Sequence, residues 1–228
     1  KLVQRLSTQL EPDSLALEVA FTNTPFLQET GFTEETILAL FIPNTYEFYW
    51  NTPANKIANK LAKEYNKFWN EARLAKAKAK NLTPIQVYTL ASIVHKETAK
   101  VDERPDVAGV YLNRLTQDMP LQADPTVIYA IKKQTGDFDQ EIKRVFYNDL
   151  RIKSAYNTYI NKGLPPGPIA MPDVSAIDAV LNATNHDYIY FCANPDKPGY
   201  HAFASSYEAH QVNAKKYADW VSKLGINR

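Results

Sequence analysis

Several things are scarce in this sequence, and each scarcity removes a class of protein. It holds one cysteine, Cys192, in 228 residues. That excludes an internal disulfide, a cysteine-rich zinc module and an iron–sulfur cluster held by this chain alone. Seven glycines rule out collagen-like and Gly/Ser-linker chemistry. Neither a G-x-S-x-G, a P-loop nor a G-x-G-x-x-G occurs, so serine-hydrolase, NTPase and dinucleotide readings lack a motif. The longest clear aliphatic or aromatic run, Ile37 to Ile42, is six residues, too short to span a bilayer. Net charge is only +1, which argues against a dedicated nucleic-acid binder.

What is present suits a folded domain. Hydrophobic residues make up 45% of the chain, enough for one domain with a large core or two small ones tightly joined. The chain opens Lys1-Leu2 with no Met start or signal peptide, the pattern expected when an anchor or targeting segment is missing. The charge is uneven. Between Asn51 and Lys80 eight Lys/Arg face only Glu64 and Glu71, giving +6 there and −5 elsewhere. Ile57, Leu61, Tyr65, Phe68, Ala72 and Ala75 form a 3/4-spaced apolar stripe opposite the lysines, so this basic run reads first as the solvated face of a long helix from Pro53 to Ala79. An anionic surface is the other partner such a stripe suits.

Capping signals place the remaining elements. Asp13 or Ser14 caps a helix over Leu15–Phe21, and Thr33 one over Glu34–Phe41. Thr83, Pro84 and Gln86 form a capping box for a helix reaching about Thr98. Asp102 is the expected cap of a helix to Leu115, with Pro105 in its first turn, and Asp124-Pro125 repeats that signal through Ile131. A turn-rich stretch, Lys132 to Pro172, ends in the stiff loop Gly163–Pro168. A short helix is predicted over Val174–Asn182. Two strands follow, Tyr188–Ala193 and Tyr200–Ala204, and then a helix capped by Ser205 or Ser206 that ends near Leu224. The fold class is therefore α+β, helix-rich with a small β-sheet. The expected division is an N-terminal helical part, 1–80, and a second part, 81–228.

One side chain breaks the helical pattern. In the helix from Pro84, Val87, Leu90, Ala91, Ile93 and Val94 share one broad apolar arc, and Glu97 falls inside it while His95 and Lys96 point away. A carboxylate aimed at an apolar face resists ionisation and suits a general acid. It equally suits a partner for a nearby cation, Arg104 or Arg114, and spacing alone leaves both readings open. His95, His186, His201 and His210 lack zinc spacing, so no metal and no cofactor is expected. Cys192, in a strand, reads as a core residue. Tyr156-Asn157-Thr158-Tyr159 offers a hydrogen-bonding, ring-stacking platform for sugars, and Asp124 doubles as a cap and a possible substrate contact.

These pieces fall in a specific order: Ala91-Ser92-Ile93-Val94-His95-Lys96-Glu97-Thr98, Glu103-Arg104, Val110–Leu115, Met119–Tyr129, Tyr156–Tyr159, Gly163–Ala170, Tyr188–Phe191 and His201–Phe203, with Phe41–Tyr46 upstream. The series resembles the endolytic murein transglycosylases of the MltG, or YceG-like, family over about residues 81–217. The resemblance implies cleavage of the β-1,4 bond after N-acetylmuramic acid in nascent peptidoglycan strands, leaving 1,6-anhydro ends. It puts the catalytic glutamate at Glu97, the second acidic position of the family's Ala-Ser-Ile-x-Glu-x-Glu motif. His95 stands at the first acidic position, and Ala123 where a Thr is usual. Gln122, Asp124, Tyr156 and Asn157 are the implied substrate-binding residues. The resemblance further implies glycan strands as substrate, peptidoglycan synthases as neighbours and a single-pass anchor in the cytoplasmic membrane with the catalytic part outside. An inactive glycan-binding or scaffold module of the envelope is the alternative, with His95 as its sign; a hydrolase pairing Glu97 with Asp124 is a more distant one.

Overall fold

The computed structural model describes residues 1–223. Ten helices and one hairpin run in the order α1 (Leu2–Ser7), α2 (Ser14–Thr22), α3 (Thr24–Thr30), α4 (Ala54–Phe68), α5 (Glu71–Ala79), α6 (Pro84–Glu97), α7 (Arg104–Thr116), α8 (Asp124–Thr135), α9 (Val174–Leu181), β1 (Tyr190–Ala193), β2 (His201–Ala204) and α10 (Tyr207–Lys223). The chain is α+β, helix-rich with a two-stranded sheet, as its patterning predicts. The expected helix end at Leu224 lies outside the described residues.

Helix α6 is the axis of the fold. Its capping box forms as the sequence demands: the Thr83 hydroxyl accepts from the Gln86 amide and the Gln86 side chain accepts from the Thr83 amide. Every residue from Val87 to Val94 is buried, because α7 and α9 pack on one side and the N-terminal part on the other. A helix dry on all faces is a core helix, and this one carries Glu97 at its last position. Two buried hydroxyls dock the surroundings onto it. Tyr88 donates to the Phe41 carbonyl at 2.8 Å, and the Ser92 hydroxyl accepts from the Ile169 amide at 3.1 Å, fixing the end of the proline loop. Gly167 in that loop lies so close to the Glu35 carbonyl that a Cβ would meet its oxygen at 2.0 Å. One hydrophobic cluster runs without interruption through Leu17, Leu40, Ile57, Leu90, Ile93, Val107 and Ile177, on both sides of position 80.

Several local expectations are corrected. The single helix predicted over Pro53–Ala79 is two. The chain breaks at Trp69, buried against Tyr65 and Phe68, and Asn70 restarts it by capping the Arg73 amide at 3.0 Å. The break resets the helical phase, so Ala72 and Ala75 are exposed and Ala77 is buried instead. Over Glu34–Phe41 only a 3-10 turn forms, Ile37–Leu40, since the Thr33 hydroxyl turns to Glu35 rather than capping. Helix α3 was not foreseen; Asn23, which ends α2, caps it. Asp102 is not the cap of α7: Glu103 holds that position, while Asp102 accepts from the Tyr200 hydroxyl. Nor does Asp124 cap α8, because it is the first helical residue and Ala123 precedes it without a side-chain bond.

The hairpin pairs antiparallel, Tyr190 with Ala204 through Ala193 with His201. Ser206 accepts from the Ala209 amide at 3.2 Å and starts α10, which covers the sheet.

Candidate active site

At the C-terminal end of α6 an open cleft of about 250 Å³ is lined by Glu97, Tyr111, Arg114, Leu121, Gln122, Asp124, Tyr159, Phe191, Cys192, Ala193 and His201. Helices α6, α7 and α8 form its floor and the hairpin one wall. Of the residues the sequence and its resemblance single out, Glu97, Gln122 and Asp124 line this cleft. Tyr156 and Asn157 do not.

Glu97 has only partial access to solvent. Burial among its neighbours, and secondarily the negative charge of Asp124, push its pKa from the usual 4.5 up to about 7. The Tyr111 hydroxyl, donating to Glu97 Oε2 at 3.2 Å, and the positive charge of Arg114 pull the other way and lose. Among the described residues Glu97 forms no ion pair, so the cation-partner reading is not what the fold builds.

The two arginines do different things. Arg104, 3% exposed, donates to Asp173 and to the Ser175 hydroxyl, both at 2.6 Å, tying α7 to the start of α9. Burial alone would raise Asp173, but hydrogen bonds from Arg104, Ser175 and the Ala176 amide hold its carboxyl down to about 2. His95 lies 3.4 Å from the same Asp173 and does not line the cleft; burial lowers its pKa despite that carboxylate. Arg114 is both structural and cleft-lining: it donates to the Ile189 carbonyl at 2.7 Å and the Leu121 carbonyl at 2.8 Å.

The Gln122–Asp124 segment is held from behind. The Thr158 carbonyl accepts from the Gln122 amide at 3.0 Å, and the Thr158 hydroxyl from the Ala123 amide at 3.1 Å. Under that clamp Gln122 adopts φ +51°, a left-handed conformation costing about 1 kcal/mol or more for a side-chain-bearing residue. Its side chain is exposed in the cleft. Asn157 is fully buried; its amide donates to the Leu150 and Ile152 carbonyls, and its oxygen accepts from the Tyr159 amide at 2.9 Å. Tyr156, 3% exposed, packs on Tyr129 with ring centroids 4.7 Å apart. These two residues therefore brace the loop, and the sugar-stacking expectation fails for Tyr156. Tyr159 reaches the cleft instead and donates to Asp124 Oδ1 at 2.5 Å.

Tyr159 was named within the Tyr156–Tyr159 platform and does reach the cleft, whereas Tyr111 and His201 were not named as cleft residues. Tyr111 was within reach: it falls on α7 at the spacing that turns it toward α6. Cys192, read as a core residue, is a half-exposed free thiol on the cleft wall, and burial raises its pKa. No group of three or more His, Cys, Asp or Glu among the described residues comes together as a metal site.

The helix-rich α+β scaffold thus presents one desolvated acid, Glu97, in an open, polar-walled groove. The comparisons give it a family. A sequence model of the YceG-like family matches residues 1–216, and the chain belongs to that family. It is 36% identical over 176 residues to the endolytic murein transglycosylase of Bacillus subtilis (strain 168), covering 77% of this chain and 46% of that protein. To the endolytic murein transglycosylase of Streptococcus pneumoniae serotype 2 it is 40% identical over 149 residues, 64% of this chain and 26% of that protein. The chain thus spans half or less of the curated relatives it matches. A crystal structure of a yceG-like protein from Listeria monocytogenes superposes with a TM-score of 0.70 at 28% identity, covering 92% of this chain and 70% of that one.

Proposed function

We propose that this chain is the catalytic domain of an endolytic murein transglycosylase, cleaving the β-1,4 bond between N-acetylmuramic acid and N-acetylglucosamine within glycan strands. The observation that carries the proposal is Glu97, an acid with a pKa of about 7 opening into a groove rather than a closed pocket. Near neutral pH about half of such a group holds its proton, the state a general acid needs, and the rest is ready to act as a base.

Ordinary glycosidases use two carboxyl groups, one for the leaving oxygen and one to supply or activate the nucleophile. In this reaction the nucleophile is the muramoyl residue's own C6 hydroxyl, so proximity substitutes for the second group. Glu97 gives its proton to the glycosidic oxygen as the C1–O bond breaks. The resulting carboxylate takes the C6 hydroxyl proton as that oxygen bonds to C1, closing the 1,6-anhydro ring and returning Glu97 to its starting state. No water is consumed. The Asp124 carboxylate, held by Tyr159, faces the oxocarbenium-like transition state, and Gln122 reaches the sugar from the same segment. The fitting location is the extracytoplasmic face of the cytoplasmic membrane, where nascent strands and their synthases lie. Among the described residues no helix is long and apolar enough to cross a membrane.

The test is digestion of purified glycan strands with wild type and Glu97→Gln, followed by mass spectrometry of the new ends. Anhydro ends absent from the variant are expected. Reducing ends mean hydrolysis with Asp124 as the second carboxyl group, and binding without cleavage means a scaffold module; either overturns the proposal.

A further inference from the structure

The His201–Phe203 motif stands at the cleft without a task in the chemistry above. His201 opens β2, and its ring lines the same groove as Glu97. Glu103, the residue before α7, is 4% exposed and grips it twice. Its Oε1 accepts from the His201 backbone amide at 2.5 Å, and its Oε2 lies 2.9 Å from His201 Nδ1. The ring is wedged edge-on against Phe191, 4.9 Å between centroids, so it has little freedom to turn over. A carboxylate can only accept, so Nδ1 must carry the ring proton. Nε2 makes no hydrogen bond among the described residues, and it is not one of their buried unpaired atoms.

We propose that His201 is a substrate-contacting residue of the cleft, its Nδ1–H held by Glu103 and its Nε2 accepting a hydrogen bond from a hydroxyl group of the bound glycan. The inference deepens the glycan-cleaving reading and rests on it. Glu103 is the positioning residue: fixing the proton on one ring nitrogen fixes an acceptor on the other. Gln122 and Asp124 offer acceptors on the α8 side of the groove, and His201 Nε2 adds one on the hairpin wall whose direction the Glu103 clamp fixes.

The first measurement is nitrogen-15 NMR of imidazole-labelled protein at neutral pH without glycan. His201 is expected as the Nδ1–H tautomer with Nε2 unprotonated; a doubly protonated ring or an Nε2–H tautomer overturns the proposal. Unfragmented glycan strands are then added to the Glu97→Gln protein. A shift of the His201 Nε2 resonance on saturation supports the contact. Saturable binding that leaves it unmoved overturns the contact while sparing the cleft as a glycan site, whereas no binding at all brings down both readings.

Kinetics supply an independent arm. In His201→Asn the side-chain amide N–H replaces Nδ1–H toward Glu103, so the clamp survives and only the acceptor is lost. A three- to tenfold rise in KM is expected, the equivalent of one hydrogen bond. Glu103→Gln should produce the Nε2–H tautomer and a similar rise. Unchanged KM in a folded His201→Asn protein overturns the proposal.

Discussion

Neutralising Glu97 should stabilise the protein while ending its activity. Glu97 holds its proton more tightly folded than unfolded, since its pKa rises from 4.5 to about 7 on folding. Its contribution to stability is therefore fully present below about pH 4.5, declines as the pH rises, and is lost above about 7. Each pKa unit corresponds to 1.36 kcal/mol, so the loss is on the order of 3 kcal/mol. Glu97→Gln removes the charge and keeps the shape and the Tyr111 hydrogen bond, so that decline disappears. Urea unfolding of both proteins at pH 5 and pH 8 measures it. The variant should be the more stable one at pH 8, by roughly 2–3 kcal/mol, equivalent to several degrees in Tm for a domain of this size. At pH 5 the two should nearly coincide. Identical pH dependence in wild type and variant would refute the claim that the acid is desolvated, and the proposed chemistry with it.

Further outcomes follow from the same geometry. Strand cleavage should fall as the pH rises above about 7, because the reaction begins from protonated Glu97; a kcat/KM profile flat to pH 9 contradicts this. Tyr111→Phe removes the hydroxyl that stabilises the carboxylate, so that falling limb should move up by about one pH unit, read from the same profile. Arg104→Ala strips Asp173 and Ser175 of their buried partner and should cost roughly 3 kcal/mol in chemical denaturation; a loss under about 0.5 kcal/mol would class the pair with surface ion pairs. Gly167→Ala drives a methyl into the Glu35 carbonyl and should cost about 3 kcal/mol or more, seen as a lowered Tm.

Short-range signals were legible and long-range ones were not. The Thr83 box and the Asp13 and Ser206 caps are decided by residues within four positions of each other, and each formed where its residues stand. Glu97 was readable because helix periodicity alone sets its direction. Some failures were local, since Thr33 turns to Glu35 two positions away and the Asn23 and Asn70 caps went unread; the others arose where a distant partner competed for a side chain. Asp102 gives up its capping role to Tyr200, 98 positions away, and Asp124 turns to Tyr159, 35 positions away. The break at Trp69 depends on an indole finding a buried slot, something no lysine-flanked periodicity reveals. Asn157 turns inward and Tyr159 outward for the same reason: which residue of the Tyr156–Tyr159 platform faces the groove is decided by the loop's anchors at Leu150, Ile152 and Thr126.

The hairpin wall has a dynamic consequence. Two strands of four residues do not hold together unaided in water, and this pair leans on α10 and on the side chains of Glu103 and Arg114. Amide deuteration should reach Tyr190–Ala193 and His201–Ala204 well before the dry turns of α6. The groove thus has one rigid side that carries Glu97 and one that yields.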